Sequence, residues 1–342
     1  MAPSRTSPTS STSRTVLFIG GTGVISTACA RAAVADGFTV TLLNRGSSST
    51  HEPAPGAEVL TADIRDREAT AAALAGRSFD VVVDFLTFTT DQLSANLDLL
   101  EGRFGQYVFI SSASAYQTPP THGPVTESTP LRNPFWQYSR DKIACEDLLV
   151  AAYRDAGLPV TIVRPSHTYD HTLLPFSGGW TVVQRMLDGK EVVVPGDGTS
   201  WWTLTHHEDF ARAFVRLLDR PQAIGEAFHI TSDEALTWDQ IHQEVAAAAG
   251  VEARIVHIAS DAIAANDAEL GASLVGDKSN SMVFDNTKIR TIAAGWKAQI
   301  PFRRGAAEMV EWHLADPSRQ KVDADLDALY DRLLDTYRPR AV

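Results

Sequence analysis

The feature that most constrains this chain is a glycine-rich turn between an apolar strand and a helix of small residues. Residues 15–19 predict a buried strand, and a helical stretch runs from the turn to about Asp36, where Gly37 stops it. The turn is Gly20-Gly-Thr-Gly23, and Ser26 occupies the place at which a third glycine is common. Such a turn brings backbone close to a pyrophosphate, whose charge the helix N-terminus attracts. We therefore predict a dinucleotide site built from Gly20, Thr22, Gly23, Val24 and Ile25.

Further apolar segments alternate with helical ones along much of the chain. The predicted strands are 38–43, 59–60, 80–84, 106–110, 160–163 and 227–230, and the predicted helices between them include 68–74 and 208–218. Apolar strands that alternate with helices indicate a parallel sheet covered on both faces. The predicted fold class is therefore α/β, with a Rossmann-type doubly wound parallel sheet and a smaller α/β substrate-binding lobe.

The predicted domains follow from where this alternation begins and ends. Residues 1–14 are mostly Ser, Thr and Pro, a composition that predicts a disordered tail. Residues 15–170 form the predicted NAD(P)-binding domain, to which residues 205–230 return. Residues 171–204 and 231–342, which mix helices and short strands, form the predicted substrate-binding lobe.

Composition narrows the partners and the location. The 342 residues include 30 Lys and Arg against 42 Asp and Glu, a net charge of −12. An acidic chain favours neither nucleic acid nor an anionic membrane as its main partner, and no apolar run approaches the roughly 20 residues of a membrane span. Because the only cysteines are Cys29 and Cys145, we expect no disulfide framework and a cytoplasmic location. His206 and His207 are adjacent and lack metal-ligand spacing, so no metal is expected.

The end of the second strand bears on the choice of cofactor. Dinucleotide folds that bind NAD often carry an acid here for the ribose diol, and an acid would repel the 2′-phosphate of NADP. Here the residues are Asn44 and Arg45, which remove that repulsion and offer a cation for a phosphate. We expect NAD or NADP, with NADP favoured. Asp63 and Ile64 follow the third strand, on the expected adenine side.

A tyrosine and a lysine four residues apart carry the chemistry. Tyr138 and Lys142 would share one face of a helix. An ammonium beside a phenol is expected to lower the tyrosine pKa toward neutral, which suits a general acid/base for a carbinol–carbonyl interconversion. Ser111 and Ser112 end the preceding strand, where a hydroxyl can bind the reacting oxygen.

These motifs together resemble the extended short-chain dehydrogenase/reductase superfamily, in its NAD-dependent epimerase/dehydratase family. The resemblance covers about residues 16–313. It rests on Gly20-Gly-Thr-Gly23, Asp63-Ile64, Ser111-Ser112, Tyr138 with Lys142, Arg164-Pro165 and Gly196-Asp-Gly198. It implies a catalytic set of Ser112, Tyr138 and Lys142, with Ser112 preferred because it precedes an Ala-x-x-Tyr run. It also implies that Lys142 binds the nicotinamide ribose. The remaining implied cofactor contacts are Phe85, Leu86, Thr87, Pro165 and Ser166.

The chain also departs from that family's pattern. The sugar 4,6-dehydratases place Asp-Glu after the catalytic hydroxyl, whereas this chain has Ala113 and Ser114, so that dehydration is not expected. Trp202 stands where the sugar-nucleotide enzymes carry an arginine for the diphosphate, and an indole stacks on a base or sugar instead. A UDP-sugar stays open, because Arg164 or Arg185 could approach. The predicted substrate contacts are Ser112, Ser114, His167, Trp201 and Trp202.

Three functions follow from this reasoning. The first is an NAD(P)-dependent epimerase of a sugar, nucleoside or sugar-nucleotide hydroxyl, which works through a transient ketone with Tyr138 as acid/base. The second is an NADP-dependent reductase or dehydrogenase of a sugar-like substrate. The third is a non-catalytic nucleotide- or RNA-binding relative, because segments 43–46 and 84–88 look like the chloroplast stem-loop-binding proteins. The expected partner is a small sugar-like molecule, and a homodimer stays open.

Overall fold

A seven-stranded parallel sheet forms the centre of the protein. The structure, a computed structural model, describes residues 14–46 and 50–338, so all but Arg14 of the predicted tail lies outside the described residues. The strands are β1 (Thr15–Ile19), β2 (Thr39–Asn44), β3 (Glu58–Thr61), β4 (Phe79–Asp84), β5 (Phe104–Ile110), β6 (Val160–Pro165), β7 (His167–Tyr169), β8 (Glu191–Pro195), β9 (Trp201–Trp202), β10 (Leu204–His206), β11 (Ala227–Ile230), β12 (Leu236–Thr237) and β13 (Arg254–Ile258).

Helices fill the connections. They are α1 (Val24–Ala35), α2 (Arg67–Ala73), α3 (Thr90–Leu99), α4 (Gln137–Ala156), α5 (Trp180–Leu187), α6 (His207–Phe214), α7 (Trp238–Ala248), α8 (Ser260–Asn266), α9 (Ala268–Ser273), α10 (Thr287–Ile292), α11 (Phe302–Leu314) and α12 (Ala324–Tyr337). A π-helical turn, Leu274–Lys278, follows α9. Within the described ranges, no helix combines the length and apolar content needed to cross a lipid bilayer.

The strand order explains where a ligand can bind. The order is β11-β6-β5-β4-β1-β2-β3, so the chain builds outward from β1 to β3 and then returns to the other side of β1 with β4. The carboxyl ends of β1 and β4 therefore diverge into a crevice at the switch point of a doubly wound sheet. This order confirms the predicted fold class.

The two faces of the sheet have separate cores. In β1, Val16 and Phe18 belong to the cluster that contains Cys29 of α1, whereas Leu17 and Ile19 belong to the cluster that contains Cys145 of α4. This alternation is the period of two that a strand imposes on its side chains. It explains why the strand is apolar throughout, because both of its faces are covered. Both cysteines are free and buried.

Small two-stranded sheets lie outside the central one. β7 pairs with β10 and β8 with β13 in parallel, and β9 pairs with β12 in the antiparallel sense. β11 returns to the central sheet beside β6, from a part of the chain far beyond the first six strands. The predicted division into two domains stays a prediction.

Candidate active site

The turn after β1 requires glycine at its first position and is held by two side-chain hydrogen bonds. Gly20 has a φ of +87°, and a Cβ built on it would lie 2.6 Å from Leu86 Cγ. Gly23 precedes the first residue of α1, and its N–H donates to Ser26 Oγ at 2.7 Å. The Gly21 N–H donates to Asn44 Oδ1 at 2.8 Å. Ser26 and Asn44 therefore brace the turn, which gives both residues a structural role that the sequence did not reveal.

This turn borders a cavity of about 480 Å³ at the switch point, called here the larger cavity. It is lined by residues that the sequence predicts, namely Gly20, Thr22, Gly23, Val24, Ile25, Asn44, Arg45, Phe85, Leu86, Tyr138, Lys142 and Pro165. Sequence reasoning missed His51, Pro53, Val59 and Phe88, which also line it. The first three lie in or beside the long loop between β2 and β3, where no motif marks them.

Four predicted cofactor residues lie outside the larger cavity. Ile64 and Thr87 line a separate cavity of about 240 Å³, to which Leu86 also contributes. The Asp63 carboxylate accepts a hydrogen bond from the Arg65 N–H at 3.0 Å, so it stabilises its own loop. Ser166 lines the cavity on the other side of Tyr138, and its hydroxyl donates to the Thr203 carbonyl at 3.0 Å.

Lys142 is held beneath Tyr138 by backbone carbonyls. Its Nζ donates to the carbonyls of Thr87 and Ile110 at 2.7 and 2.8 Å, and it lies 5.9 Å from the centre of the Tyr138 ring. Burial lowers the pKa of Lys142 to about 8, although the negative charge of Asp84 opposes this shift. The ammonium is thus an internal cation with a reduced affinity for its proton.

The pKa of Tyr138 moves opposite to the sequence-based expectation. Burial raises it above the ordinary phenol value, the hydrogen bond with Ser112 lowers it, and the charge of Asp277 raises it further. The expected lowering toward neutral by Lys142 is therefore wrong for this structure. The physical reason is that removing the phenol from water disfavours its charged form, while the Lys142 ammonium is directed at carbonyls.

The two serines at the end of β5 have different partners. Ser111 donates to Glu146 Oε1 at 2.5 Å and is committed to a buried carboxylate. The hydroxyls of Ser112 and Ser114 are 2.9 Å apart, and Ser114 also receives a hydrogen bond from Ser139 at 2.8 Å. Ser112, rather than Ser111, is the hydroxyl that influences the phenol of Tyr138.

A second cavity of about 180 Å³, called here the smaller cavity, lies on the other side of Tyr138. Its lining is Ser112, Ala113, Ser114, Trp136, Tyr138, Pro165, Ser166, His167, Trp202, Asp277, Met282 and Phe284. Trp202 Nε1 donates to His167 Nδ1 at 3.4 Å, and burial lowers the pKa of His167 to about 3, so this imidazole is neutral. Trp201 lies outside both cavities with 48% of its surface exposed.

Asp277 lines the smaller cavity and was missed by sequence reasoning, as were Trp136, Met282 and Phe284. It belongs to the π-helical turn, and the nearest cation is its neighbour Lys278, 3.6 Å from its carboxylate. Burial raises the pKa of Asp277 to about 6, and the charge of Lys278 opposes the shift. No periodicity or motif around residue 277 could have placed it against Tyr138, which is distant in the chain.

The two arginines expected to approach a diphosphate are engaged elsewhere. Arg164 forms a buried ion pair with Glu146 at 2.5 Å. Arg185 pairs with Asp327 and, at 2.8 Å, with Asp331. Neither arginine lines the larger or the smaller cavity, so the structure gives no support to this alternative. In the part of the chain that the structure describes, no group of three or more His, Cys, Asp or Glu is arranged to hold a metal ion.

Comparison with known proteins assigns the family. The model of the NAD dependent epimerase/dehydratase family matches residues 16–231, and the chain belongs to this family. The resemblance inferred from the motifs is thereby confirmed.

Two curated relatives differ in what their names describe. A 2'-dehydrokanamycin reductase from Streptomyces kanamyceticus is 28% identical over 240 residues, which cover 69% of this chain and 66% of that protein. The chloroplast stem-loop binding protein of 41 kDa b from Arabidopsis thaliana is 28% identical over 260 residues, which cover 72% of this chain and 66% of that protein. The chain thus spans slightly less than two thirds of the length of each.

Solved structures share the fold at lower identity. A dTDP-glucose 4,6-dehydratase from Bacillus anthracis in complex with NAD has a TM-score of 0.70 and 20% identity, and the match covers 89% of this chain and 98% of that one. A UDP-glucose 4-epimerase from Bifidobacterium longum in complex with NAD+ and UDP has a TM-score of 0.70 and 19% identity, over 89% and 99% of the two chains. These likenesses agree with the Rossmann-type fold.

Proposed function

We propose that the protein binds NAD(P) in the larger cavity and interconverts a hydroxyl and a keto group on a sugar-like substrate in the smaller one. The observation that carries the proposal is that Tyr138 lines both cavities. An alcohol–ketone interconversion needs a proton donor or acceptor beside a hydride carrier, and the junction of the two cavities is where that group must lie. The net result is reduction or oxidation, or epimerisation when hydride returns to the opposite face of the ketone.

The residues around the larger cavity fit a dinucleotide. A Cβ at Gly20 would collide with Leu86, so glycine there lets the turn and the Leu86 side chain border the cavity together. The N-terminus of α1 would hold the pyrophosphate, and Ile64 with Thr87 would lie on the adenine side. Arg45 lines the cavity, is exposed, and has no ion-pair partner among the described residues, so it is free to hold the 2′-phosphate of NADP. When bound, the nicotinamide supplies or accepts the hydride.

Ser112, Tyr138 and Lys142 would orient the substrate, transfer its proton and bind the cofactor ribose. Ser112 would orient the reacting oxygen by a hydrogen bond, and Tyr138 would exchange a proton with that oxygen through its hydroxyl. Lys142 would bind ribose hydroxyls from beneath. Because burial keeps the Tyr138 phenol protonated at neutral pH, donation of a proton to a keto oxygen is the readier direction.

A second candidate is a nucleotide-binding protein without turnover. The similarity to a stem-loop binding protein raises this candidate. The net charge of −12 weighs against an RNA partner, because phosphate contacts supply most of the affinity of RNA-binding proteins. The two candidates differ in whether sugar-like ketones and alcohols are turned over. Absorbance of the nicotinamide detects net reduction or oxidation, and NMR of the sugar detects epimerisation.

Tyr138→Phe tests the proposed function. The phenylalanine keeps the ring and removes the hydroxyl, so we expect turnover to fall by roughly two to four decades while NADP affinity is retained. Cofactor oxidation would be followed by absorbance and cofactor binding by calorimetry. The matched control is Tyr153→Phe, since Tyr153 lies on the same helix but is exposed. Near-native activity of Tyr138→Phe, or loss of cofactor binding by that variant, would contradict the assignment.

A further inference from the structure

The smaller cavity has a single ionisable carboxyl among otherwise neutral walls. Of the described residues that line it, only Asp277 carries a full charge near neutral pH, because His167 is neutral and Tyr138 stays protonated. In the described part of the chain no lysine or arginine lines the cavity, and the Lys278 ammonium lies beside Asp277 at 3.6 Å. An anionic ligand would therefore meet a like charge there, and a cationic ligand would meet its counter-ion.

The Asp277 carboxylate is poorly compensated by the protein itself. Its ion pair with Lys278 spans 3.6 Å, which is longer than a hydrogen bond, and the Lys278 ammonium also lies over the Trp136 ring at 5.9 Å from its centre. Among the described residues Lys278 is its one ion-pair partner and meets Oδ2, so this half-buried carboxylate keeps capacity for a second cation. The raised pKa of Asp277, caused first by burial, agrees with this incomplete compensation.

The backbone around Asp277 is built to hold it against the cavity. The Gly276 carbonyl accepts a hydrogen bond from Asn133 Nδ2 at 2.6 Å. A Cβ at Gly276 would lie 2.7 Å from Trp136 Cβ, so only glycine lets the π-helical turn approach this closely. π-helical turns are rare and are frequent at functional sites. The position of Asp277 is thus fixed by packing rather than by a mobile loop.

The other walls suit the same kind of ligand. Trp136, Trp202 and Phe284 present aromatic surface to the cavity. Aromatic rings bind the apolar face of a sugar ring, and their negative faces attract an ammonium group. A neutral sugar would use the first property only, whereas an amino sugar would use both.

Building on the function proposed above, we propose that the smaller cavity binds a sugar-like substrate that carries a protonated amine, and that Asp277 is the specificity residue that pairs with this amine. The reacting hydroxyl or ketone then lies at Ser112 and Tyr138, which line the same cavity. A plain glycoside can occupy the cavity but offers Asp277 no cation besides Lys278. A nucleoside diphosphate brings a charge of the wrong sign.

The pH dependence of binding follows from the groups that face Asp277. These groups are Lys278, which pairs with Asp277, and Tyr138 and His167, which line the same cavity. Tyr138 and His167 do not change charge between mildly acidic and neutral pH, because their pKa values are displaced upward and downward respectively. Asp277 ionises as the pH rises through about 6. Affinity for an amine-bearing ligand should therefore increase across that range and then level off.

The experiment compares matched ligands on the full chain loaded with NADP. The probes are methyl glycosides that carry an amine at one ring position, the same glycosides with a hydroxyl or an acetamide there, and UDP. Calorimetry measures binding to wild type, to Asp277→Asn and to Asp261→Asn. Asp261 is an exposed acid of the same region and serves as the control. Asp277→Asn keeps the size of the side chain and removes its charge.

We expect wild type and Asp261→Asn to bind an amine-bearing glycoside about tenfold or more tightly than its hydroxyl counterpart, which is the size expected for one charge-assisted hydrogen bond. In Asp277→Asn this preference and its rise with pH should disappear, while affinity for the neutral glycoside stays the same. A preference that survives Asp277→Asn, equal losses for amine and hydroxyl ligands, or no saturable binding of any amine-bearing probe would each overturn the proposal.

The same data separate this inference from the function on which it rests. If amines bind through Asp277 but no ligand is oxidised, reduced or epimerised, the proposed activity fails and the cation site stands. If neutral glycosides turn over as well as amine-bearing ones, the activity stands and the cation site is rejected. Tight binding of UDP likewise rejects the cation site alone.

Discussion

Lys142 is a buried ammonium that no carboxylate contacts directly in the described structure. Its two hydrogen bonds are to backbone carbonyls, and aromatic rings of Phe88 and Phe109 lie 4.7 and 4.8 Å from its Nζ. Such an arrangement keeps the side chain straight and its position fixed, at a cost in stability. Buried charges that lower stability are common at functional sites, and here the charge lies beneath the phenol proposed to react.

Lys142→Met measures that cost as a pH dependence. Since burial lowers the pKa of Lys142 from 10.5 to about 8, the unfolded chain binds this proton more tightly than the folded one. The free energy of unfolding should therefore rise with pH between these two values, and the methionine variant should lack this rise. Urea unfolding at neutral and alkaline pH gives the difference between the two proteins. If the free energy of unfolding of wild type minus that of Lys142→Met is the same at neutral and alkaline pH, burial does not lower the pKa of Lys142.

Arg45→Ala tests the predicted preference for NADP. The guanidinium is exposed at the rim of the larger cavity and has no acidic neighbour among the described residues, whereas Asn44 is turned inward to the glycine turn. Removal of the cation should weaken NADP by about tenfold or more and leave NAD nearly unchanged, because only NADP carries the 2′-phosphate. Calorimetric titration with both cofactors decides this, and equal weakening of both would contradict it.

At this scale the sequence predicts residues that lie in motifs and misses those that only the fold brings together. Tyr138, Lys142 and Ser112 were found from spacing and order, and they do meet. Trp201 and Trp202 were assigned together, but successive residues of a strand face opposite sides, and only Trp202 reaches the smaller cavity. Asp277 lies in a π-helical turn that no local sequence pattern predicts.

At the scale of elements, α4 is the part that joins the chemistry to the sheet. Tyr138, Lys142 and Glu146 follow each other at intervals of four residues, so they share one face that is directed at the ends of β5 and β6. The helix ends at Gly157 in the left-handed conformation, as glycine permits. One helix therefore positions the phenol, the ammonium and a buried carboxylate together.

The glycine turn before α1 allows a prediction that compares two glycines with the same φ. Gly20 and Gly37 share a φ of +87°, but a Cβ would meet Leu86 at 2.6 Å only at Gly20 and nothing within 4 Å at Gly37. Gly20→Ala and Gly37→Ala therefore carry the same backbone strain, and only the first pushes on the cavity wall. We expect Gly20→Ala to lose most cofactor affinity and Gly37→Ala to retain it. Equal affinities in a calorimetric titration would show that the turn does not hold the cofactor.

The elements that the sequence predicted best are those of the central sheet. β1 and β11 have the predicted bounds, and the predicted strands at 38–43 and 80–84 differ from β2 and β4 by one residue at one or both ends. The helix predicted at 208–218 is shorter, because α6 ends at Phe214 and a 3₁₀ turn, Val215–Leu217, follows. Beyond the sheet, short strands such as β9 and β12 carry too few residues for a period to be recognised.

At the scale of the whole molecule, one buried polar network crosses between layers. Glu146 of α4 accepts hydrogen bonds from Ser111 at the end of β5 and from Arg164 of β6. The Arg164 guanidinium lies 4.8 Å from the centre of the Tyr116 ring, and the Tyr116 hydroxyl is 3.0 Å from His229 Nδ1 on β11. The network thus ties the helix that carries Tyr138 to three strands of the sheet.

Arg164→Met should therefore lower the free energy of unfolding more than the same substitution of an exposed arginine in an equally short ion pair. Glu146 and Arg164 are both buried, and loss of one partner leaves an uncompensated charge that costs about 3–5 kcal/mol of unfolding free energy. The double variant Glu146→Leu with Arg164→Met removes both charges and should recover a large part of that loss. Arg77→Met is the control, because Arg77 and Glu58 form a similarly short pair that is exposed, and its effect should be small. Urea unfolding of wild type, Arg164→Met, the double variant and Arg77→Met tests this. A double variant that is less stable than Arg164→Met alone would contradict it. That result would mean that the hydrogen bonds of the network contribute more to stability than the burial of its charges costs.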